Sequence, residues 1–474
     1  MMRPILLLLL TLFITAPLHA DDTPLPKDDG YRGIWYQIKD PTGFPKYSGG
    51  FATYPQQIRP TAIYCKAVNK TFFVYGGRPK DKNDLLHMVS YYDHATGTFP
   101  RPTILLDKNT SDAHDNPALA IDSDGYLWIF SNTHGPAKRS SIHRSTKPYS
   151  IDSFEEIAPN LSLSYCDPWF FPGQGFILLQ NRYTDGRAVA FQTSPDGRTW
   201  SKPSLIAQMK VGHYAISVPS PDHTKFGVAF NYHPHGLDSR TNLYFLETTI
   251  PQSPPTAVGG SLPTPTLAQS WHTASGKTLD TPLHDPHTPA LIHDYEAEHL
   301  LVYLKDVRYD QDNHPVILYL TSHGFTAGPK NGPYTWYTAR WTGTEWAIHP
   351  VTTSDHNYDF GEMQIAPDGS WRLMAPTDPG PTPFMTGGEV VLWTTTDQGV
   401  TWTRVRNVTD HSPLNNTFVR IPENAQDDFY AYWADGDPTK LSDCHLYFTN
   451  REGTHVWRLP TTMTTDTAKP EQIR

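Results

Sequence analysis

The sequence predicts an all-β protein of the propeller class, and three observations carry that expectation: a breaker-rich composition, short strand-like runs at regular spacing, and a polar opening pattern that recurs along the chain. The composition has 44 Pro and 32 Gly in 474 residues, and both residues interrupt helices while favouring turns. Aromatic residues make up 12% and charged residues 18%, which is too aromatic and too weakly charged for a disordered chain. The net charge of −10 is the opposite of the basic excess with which nucleic-acid binders meet phosphates. No nucleic-acid partner is expected.

The strand-like runs come every 8 to 15 residues, separated by Gly, Pro, Asp or Asn. Thr71–Tyr75, Gly125–Phe130, Gly175–Leu179, Phe226–Phe230 and Leu300–Leu304 are examples. No amphipathic helix is apparent. The first twenty residues read as an export signal: Arg3 supplies the positive end, Ile5 to Ile14 the apolar run, and Leu18-His19-Ala20 the small-residue exit. The run is about half of the roughly 20 residues a membrane span needs. The expectation is cleavage after Ala20, a periplasmic or extracellular location, no membrane insertion, and one catalytic domain over 21–474, as a monomer. Pro251 to Pro265 is linker-like, but the strand rhythm is the same on both sides. Cys65, Cys166 and Cys444 are too few and too far apart for a disulfide framework or a zinc finger.

The recurring pattern sets the architecture. His114 to Asp122 followed by Tyr126 to Phe130 resembles His287 to Asp294 followed by Leu300 to Leu304. Looser copies begin near Gly49, Tyr165, His213, His356 and Asn415, at intervals of 48 to 74 residues, which suits four-stranded blades. Seven openings predict seven blades. Thr395 to Trp402 fits the Asp-box pattern Ser/Thr-x-Asp-x-Gly-x-Thr-Trp, and Ser194 to Trp200 is one residue shorter. Such a turn is structural and names no reaction.

Inner strands of a propeller begin at one end of its channel, so the polar residues that open successive units line one mouth. That set holds His114, Tyr165, His213, Tyr214, His287, His356, Asn357, Tyr358, Asn415 and Asn416. From this set His213, Tyr214, His287, His356 and Tyr358, and with them Asn116, are expected to bind substrate. The densest group spans two units. His114 opens a strand and His134 ends its partner; Tyr165 opens the next unit and Arg182 closes its partner in the same way. Hairpins of this length return His114, His134, Tyr165 and Arg182 to one rim.

These residues resemble the active-site strands of the seven-bladed ulvan lyases and their BNR-repeat relatives. The catalytic match covers about 111 to 187, and the propeller pattern most of the chain. The resemblance implies β-elimination on uronate-containing sulfated polysaccharide, with His114, His134, Tyr165 and Arg182 as the two histidines, tyrosine and arginine. Tyr165 follows His134 by 31 residues, a shorter interval than the family pattern. It also implies a structural zinc held by histidines and a cysteine after the arginine, and no cysteine stands there.

The chemistry independently asks for such groups. Removing the proton beside a carboxylate needs a cation or hydrogen-bond donors to hold the enolate-like charge, a role for Arg182 with His114 assisting. A base and an acid are open to His134 and Tyr165. No cofactor is required, and a structural metal ion has no assignable ligand set. The partner is an acidic polysaccharide or oligosaccharide. The net charge opposes it at long range, but screening over about 8 Å leaves the local site in control.

Hydrolysis is the rival reaction. Glycosidases need paired carboxylates at roughly 5 to 9.5 Å, and Asp112, Asp115, Asp167, Asp355, Asp359 and Glu362 stand near blade openings. Val419-Arg-Ile-Pro422 resembles a sialidase arginine motif, but at the wrong end of the chain. A non-catalytic sugar-binding propeller would instead use Trp35, Tyr47, Trp169, Trp341 and Trp433 as platforms.

Overall fold

Runs such as Pro315–Ser322, whose eight residues are all buried, form strands because blades stack face to face and leave the middle of each sheet no solvent side. The computed structural model describes residues 23–40, 42–135, 140–252, 267–268 and 270–474. The expected export signal lies outside these residues, as does most of the linker-like stretch. Among the described residues there is no α-helix, only three short 3₁₀ turns, and no helix is long and apolar enough to cross a membrane.

Strand pairing divides the described residues into seven consecutive antiparallel meanders. Their first strands are Ala62–Cys65, Pro117–Ile121, Asp167–Phe171, Ala215–Pro219, Leu301–Tyr309, Glu362–Ile365 and Asn415–Arg420, called units one to seven below. From unit one to unit six, successive first strands pack on one another, and the first strand of unit seven packs on the second strand of unit six. Unit seven returns to unit one where Tyr64 N donates to Glu423 O and Glu423 N to Ala62 O, each at 2.9 Å. An additional hairpin, Gly33–Lys39 with Pro45–Gly50, pairs with Ser442–Cys444 and lies across the mouth where the first strands begin. The all-β propeller expectation holds.

Two openings do not fall where the repeat predicts: Gly49 lies in the strand Pro45–Gly50 of the additional hairpin while unit one begins at Ala62, and the fifth opening also moves. Leu291–His293 pairs with Leu243 and Tyr244 at the outer edge of unit four, and unit five begins at Leu301. The segment from His287 has the composition of a strand opening, but it completes the preceding sheet. Trp271–His272 joins the same sheet through Glu247, so unit four takes strands from before 253 and from after 266.

The two Asp-containing turns show why their residues recur. Asp196 Oδ1 accepts from the backbone N of Arg198 and Thr199 at 2.8 and 2.7 Å, and Trp200 Nε1 donates to Gly197 O at 2.9 Å. Asp397 takes the hydroxyls of Thr395 and Thr401, both at 2.6 Å. Gly197 and Gly399 adopt φ of 71° and 87°, where a side chain is strained. A Cβ on either would strike a tryptophan of a neighbouring strand, Trp128 or Trp371.

Candidate active site

The second unit places the first two groups. Asp112 caps the 3₁₀ turn Ala113–Asp115 and accepts from His114 N at 3.1 Å. The same carboxylate holds both imidazoles: Oδ1 lies 2.6 Å from His114 Nδ1 and Oδ2 lies 3.0 Å from His134 Nδ1. The two rings stack with centroids 4.2 Å apart. Asp115 secures the second member by accepting from His134 N, and Asn132 Nδ2 donates to His114 O at 2.6 Å. Donation of both Nδ1–H groups to Asp112 leaves each Nε2 as the basic atom. On His114 that atom faces the Tyr54 hydroxyl at 2.6 Å. His134 is the more exposed of the two, and its Nε2 has no hydrogen-bond partner among the described residues. Burial lowers the pKa of His114 against the pull of Asp112. Asp112 is itself partly buried, yet its two imidazole partners hold its carboxyl well below the ordinary value.

The third unit supplies the tyrosine. Tyr165 stands at φ 50°, a left-handed backbone that costs a bulky residue of order 1–3 kcal/mol and is typically found at functional sites. Its ring meets those of His114, His134 and Tyr214 edge-on, with centroids 6.1, 6.0 and 5.4 Å away. Burial, then neighbouring tyrosines, raise its pKa well above that of a free phenol. Tyr214 goes the other way: burial would raise it, but the guanidiniums of Arg240 and Arg187 offset that and bring it below the ordinary value.

Arg182 departs from the expectation. It ends the strand Gly175–Arg182 and turns back on Asp185, with Nε 2.9 Å from the carboxylate. The arginine brought to the rings is Arg187, 4.6 Å from the Tyr183 centroid and 3.2 Å from the Tyr214 hydroxyl. Tyr183 in turn lies edge-on to His134 at 5.7 Å. Four residues of turn separate the two arginines, and only the tertiary packing selects between them. Gly212 permits that packing, since a Cβ there would fall 2.5 Å from the Cβ of Arg187.

The expected substrate-binding residues divide. Tyr214 and Tyr358 line a recess at the channel mouth together with Tyr47, Tyr54, Tyr165 and Arg240, and Tyr358 stacks on Tyr47 at 4.1 Å. His213 is fully buried, with Nδ1–H donating to Asn231 O at 2.8 Å and Nε2 accepting from Met209 N at 2.9 Å. Both its nitrogens serve the fold. Asn116 spends its amide on the carbonyls of Phe51 and Tyr54. His356 is buried behind Tyr358 and accepts from its backbone N at 3.0 Å. His287 has a side chain 66% exposed, 3.9 Å from Asp294, and opens no inner strand. The expectation of a ligand role for His213, Asn116, His356 and His287 came from position in the repeat, which does not distinguish a side chain facing the channel from one satisfying buried backbone.

Beside the histidine pair lies a cleft of about 750 Å³ between the additional hairpin and residues 439–441, bounded by Tyr36, Lys39, Tyr47, Asp112, His114 and His134 among others. Tyr54, missed from sequence, and Tyr47, expected only as a sugar platform, reach the mouth from either side of the opening read near Gly49. Of the carboxylates considered for hydrolysis, Asp112 is spent on the two imidazoles and the others are engaged within the fold. Asp115 and Asp167 are fully buried, Asp167 on Ser217 at 2.9 and 3.0 Å. Glu362 binds Arg420 at 3.1 Å. Asp355 and Asp359 accept from Phe384 N and Gly387 N, both at 2.7 Å. Arg420 of the sialidase-like motif is buried in the channel on the carbonyls of Thr53 and Pro55. Trp35, Trp169, Trp341 and Trp433 are buried as well and offer no sugar platform.

The zinc pattern implied by resemblance does not fit. Cys65, Cys166 and Cys444 are free thiols, and among the described residues no cysteine joins a group of three metal-ligating side chains. Asp112, His114 and His134 form such a group, but their spacings are those of hydrogen bonds between a carboxylate and two imidazoles.

Residues 75–201 match a BNR repeat-containing family, and no curated protein matches the sequence. Among solved structures, an ulvan lyase of polysaccharide lyase family PL25 aligns over 90% of this chain and 96% of its own at 17% identity, with a TM-score of 0.67. A structure of a PL25 ulvan lyase bound to -[GlcA(1-4)Rha3S]- gives 0.66 at the same identity and coverage. Polysaccharide lyase Uly1 aligns over 90% of this chain and 99% of its own at 11% identity, with a TM-score of 0.58. At such identities the likeness is one of fold.

Proposed function

We propose, from a BNR-repeat segment set in a propeller frame like that of polysaccharide lyases, that this chain is an exported lyase cleaving uronate-containing polysaccharide of the sulfated, ulvan-like class by β-elimination. The observation that carries the reading is the pair of imidazoles held by Asp112 at the edge of a cleft, with tyrosines and Arg187 alongside. His134 Nε2 takes the proton from C5 of the uronate, the C4–O bond breaks as the C4–C5 double bond forms, and the leaving oxygen takes a proton from the Tyr165 hydroxyl. A phenol whose pKa is raised keeps its proton until the leaving oxygen needs it. Arg187, set against Tyr183 and Tyr214, neutralises the substrate carboxylate as negative charge builds.

Hydrolysis finds less support, because the candidate carboxylates are committed to internal partners. The deciding experiment offers purified protein uronate polysaccharides and follows ultraviolet absorbance of the unsaturated uronate. Elimination makes that chromophore and should lose it on carboxyl-reduced polymer. New reducing ends without the chromophore would overturn the lyase reading in favour of hydrolysis.

A further inference from the structure

The recess at the centre of the mouth has a feature that the elimination step does not use. Arg240 is 5% exposed, and its guanidinium is ringed by Tyr214, Tyr303 and Tyr358 with centroids 4.8, 4.7 and 5.5 Å away. A buried guanidinium normally has a carboxylate in bidentate contact. Here the partner is Asp238 at 3.9 Å, and that carboxylate is shared with Lys46. Nη2 reaches Leu237 O only at 3.4 Å, and Nε has no partner among the described residues. Arg187 adds a further cation on the same Tyr214 ring.

The recess that Arg240 lines takes an atom about the size of one water, about 10 Å³. An oxygen of an oxyanion has that size, whereas a sugar ring does not. Arg240 is also offset from the proposed chemistry: Tyr214 and Tyr165 lie in sequence between it and the histidines, while Arg187 is one ring, Tyr183, from His134.

We propose that Arg240 is a second anion-binding residue, distinct from the group that neutralises the reacting uronate, and that it takes an oxyanion carried elsewhere on the same saccharide chain. The saccharide as ligand rests on the lyase reading; the anion site does not. A sulfate ester and a second carboxylate share the required chemistry, so the test separates them.

The full chain is titrated calorimetrically with sodium sulfate and sodium glucuronate at ionic strength held by chloride. Saturable binding of at least one is expected, weakened about tenfold or more in Arg240→Gln and retained in Arg187→Gln. On polymer, Arg240→Gln should raise KM about tenfold with kcat within a few-fold. If chemical desulfation of the polymer abolishes the difference between variant and parent, the group is a sulfate ester; if the difference survives desulfation, it is a carboxylate. A folded Arg240→Gln with unchanged anion binding and unchanged KM overturns the proposal and leaves Arg240 as a packing cation. Should Arg240→Gln fail to fold, Arg187→Gln decides: loss of all sulfate and glucuronate binding there overturns it, and retained saturable binding supports it. Absence of any unsaturated product from the parent protein sinks the lyase reading alone, because the anion titration is read without turnover.

Discussion

The two mouths of the channel both bury arginines, and they treat them in opposite ways. At the end where the first strands finish, each guanidinium has a close carboxylate: Arg59 meets Asp306 at 2.7 Å, Arg308 meets Asp306 at 3.0 Å and Glu423 at 2.8 Å, and Arg420 meets Glu362 at 3.1 Å. The recess there, about 480 Å³, is walled by Pro60, Pro168, Pro219 and Pro422. At the other end Arg187 and Arg240 face tyrosine rings instead. Charge paired within the protein has no need of a ligand, whereas a cation left against aromatic faces retains attraction for an anion from outside. The cleft with the histidines is on the under-compensated side.

The largest effect tests the paired end. Asp306→Ala removes the carboxylate shared by Arg59 and Arg308 and leaves both buried without it, which should cost about 3–5 kcal/mol of stability. A denaturant midpoint close to the parent's would contradict the structural role assigned to that network. At the other mouth, His134→Ala should lower kcat by about 10² to 10⁴, and Tyr165→Phe should follow within that range, with KM little changed and the thermal midpoint held. Full activity in either would remove its proton-transfer role.

A smaller contrast lies between neighbours in sequence. Arg187→Ala should impair both kcat and KM on uronate polymer, and spare binding of carboxyl-reduced polymer. Arg182→Ala breaks a partly exposed pair with Asp185, worth less than about 1 kcal/mol, and should leave the kinetics near parental. The reverse ranking would restore Arg182 to the role its position in the repeat implies.

The smallest effect separates the mouths by pH. Burial lowers His213 to about 4 and His356 to about 3, so the unfolded chain, with ordinary histidines near 6.5, binds protons that the folded one refuses. Stability contributed this way is present above about pH 6.5 and is lost as pH falls toward 4. Asp306 is also depressed: burial would raise it, but Arg308 and Arg59 more than offset this. Its contribution is lost only below the ordinary aspartate value of 3.8. His213→Gln should therefore flatten the stability profile between pH 6.5 and 4 by about one proton and leave the region below 3.8 alone. An unaltered slope between 6.5 and 4 would refute the burial of neutral His213.

Local chemistry was enough to read the all-β class, the Asp-containing turns, and the grouping of His114, His134 and Tyr165, because turn residues, strand composition and hairpin length act over a dozen residues or fewer. The rhythm of strand openings was legible for the same reason, apart from Gly49, which belongs to the additional hairpin, and the segment at His287, whose strand-like pattern serves the edge of one sheet as well as the start of another. Pairing partners decide that, and pairing is not written in composition. Nor could spacing tell His213, satisfied by Asn231 and Met209, from His134, which lines the cleft. Arg187 displaced Arg182, and Arg240, Tyr47 and Tyr54 entered the mouth, through contacts between units distant in the chain. Which cation finds a carboxylate and which finds a tyrosine depends on what the ring of strands brings opposite it, and that is settled only when every unit is in place.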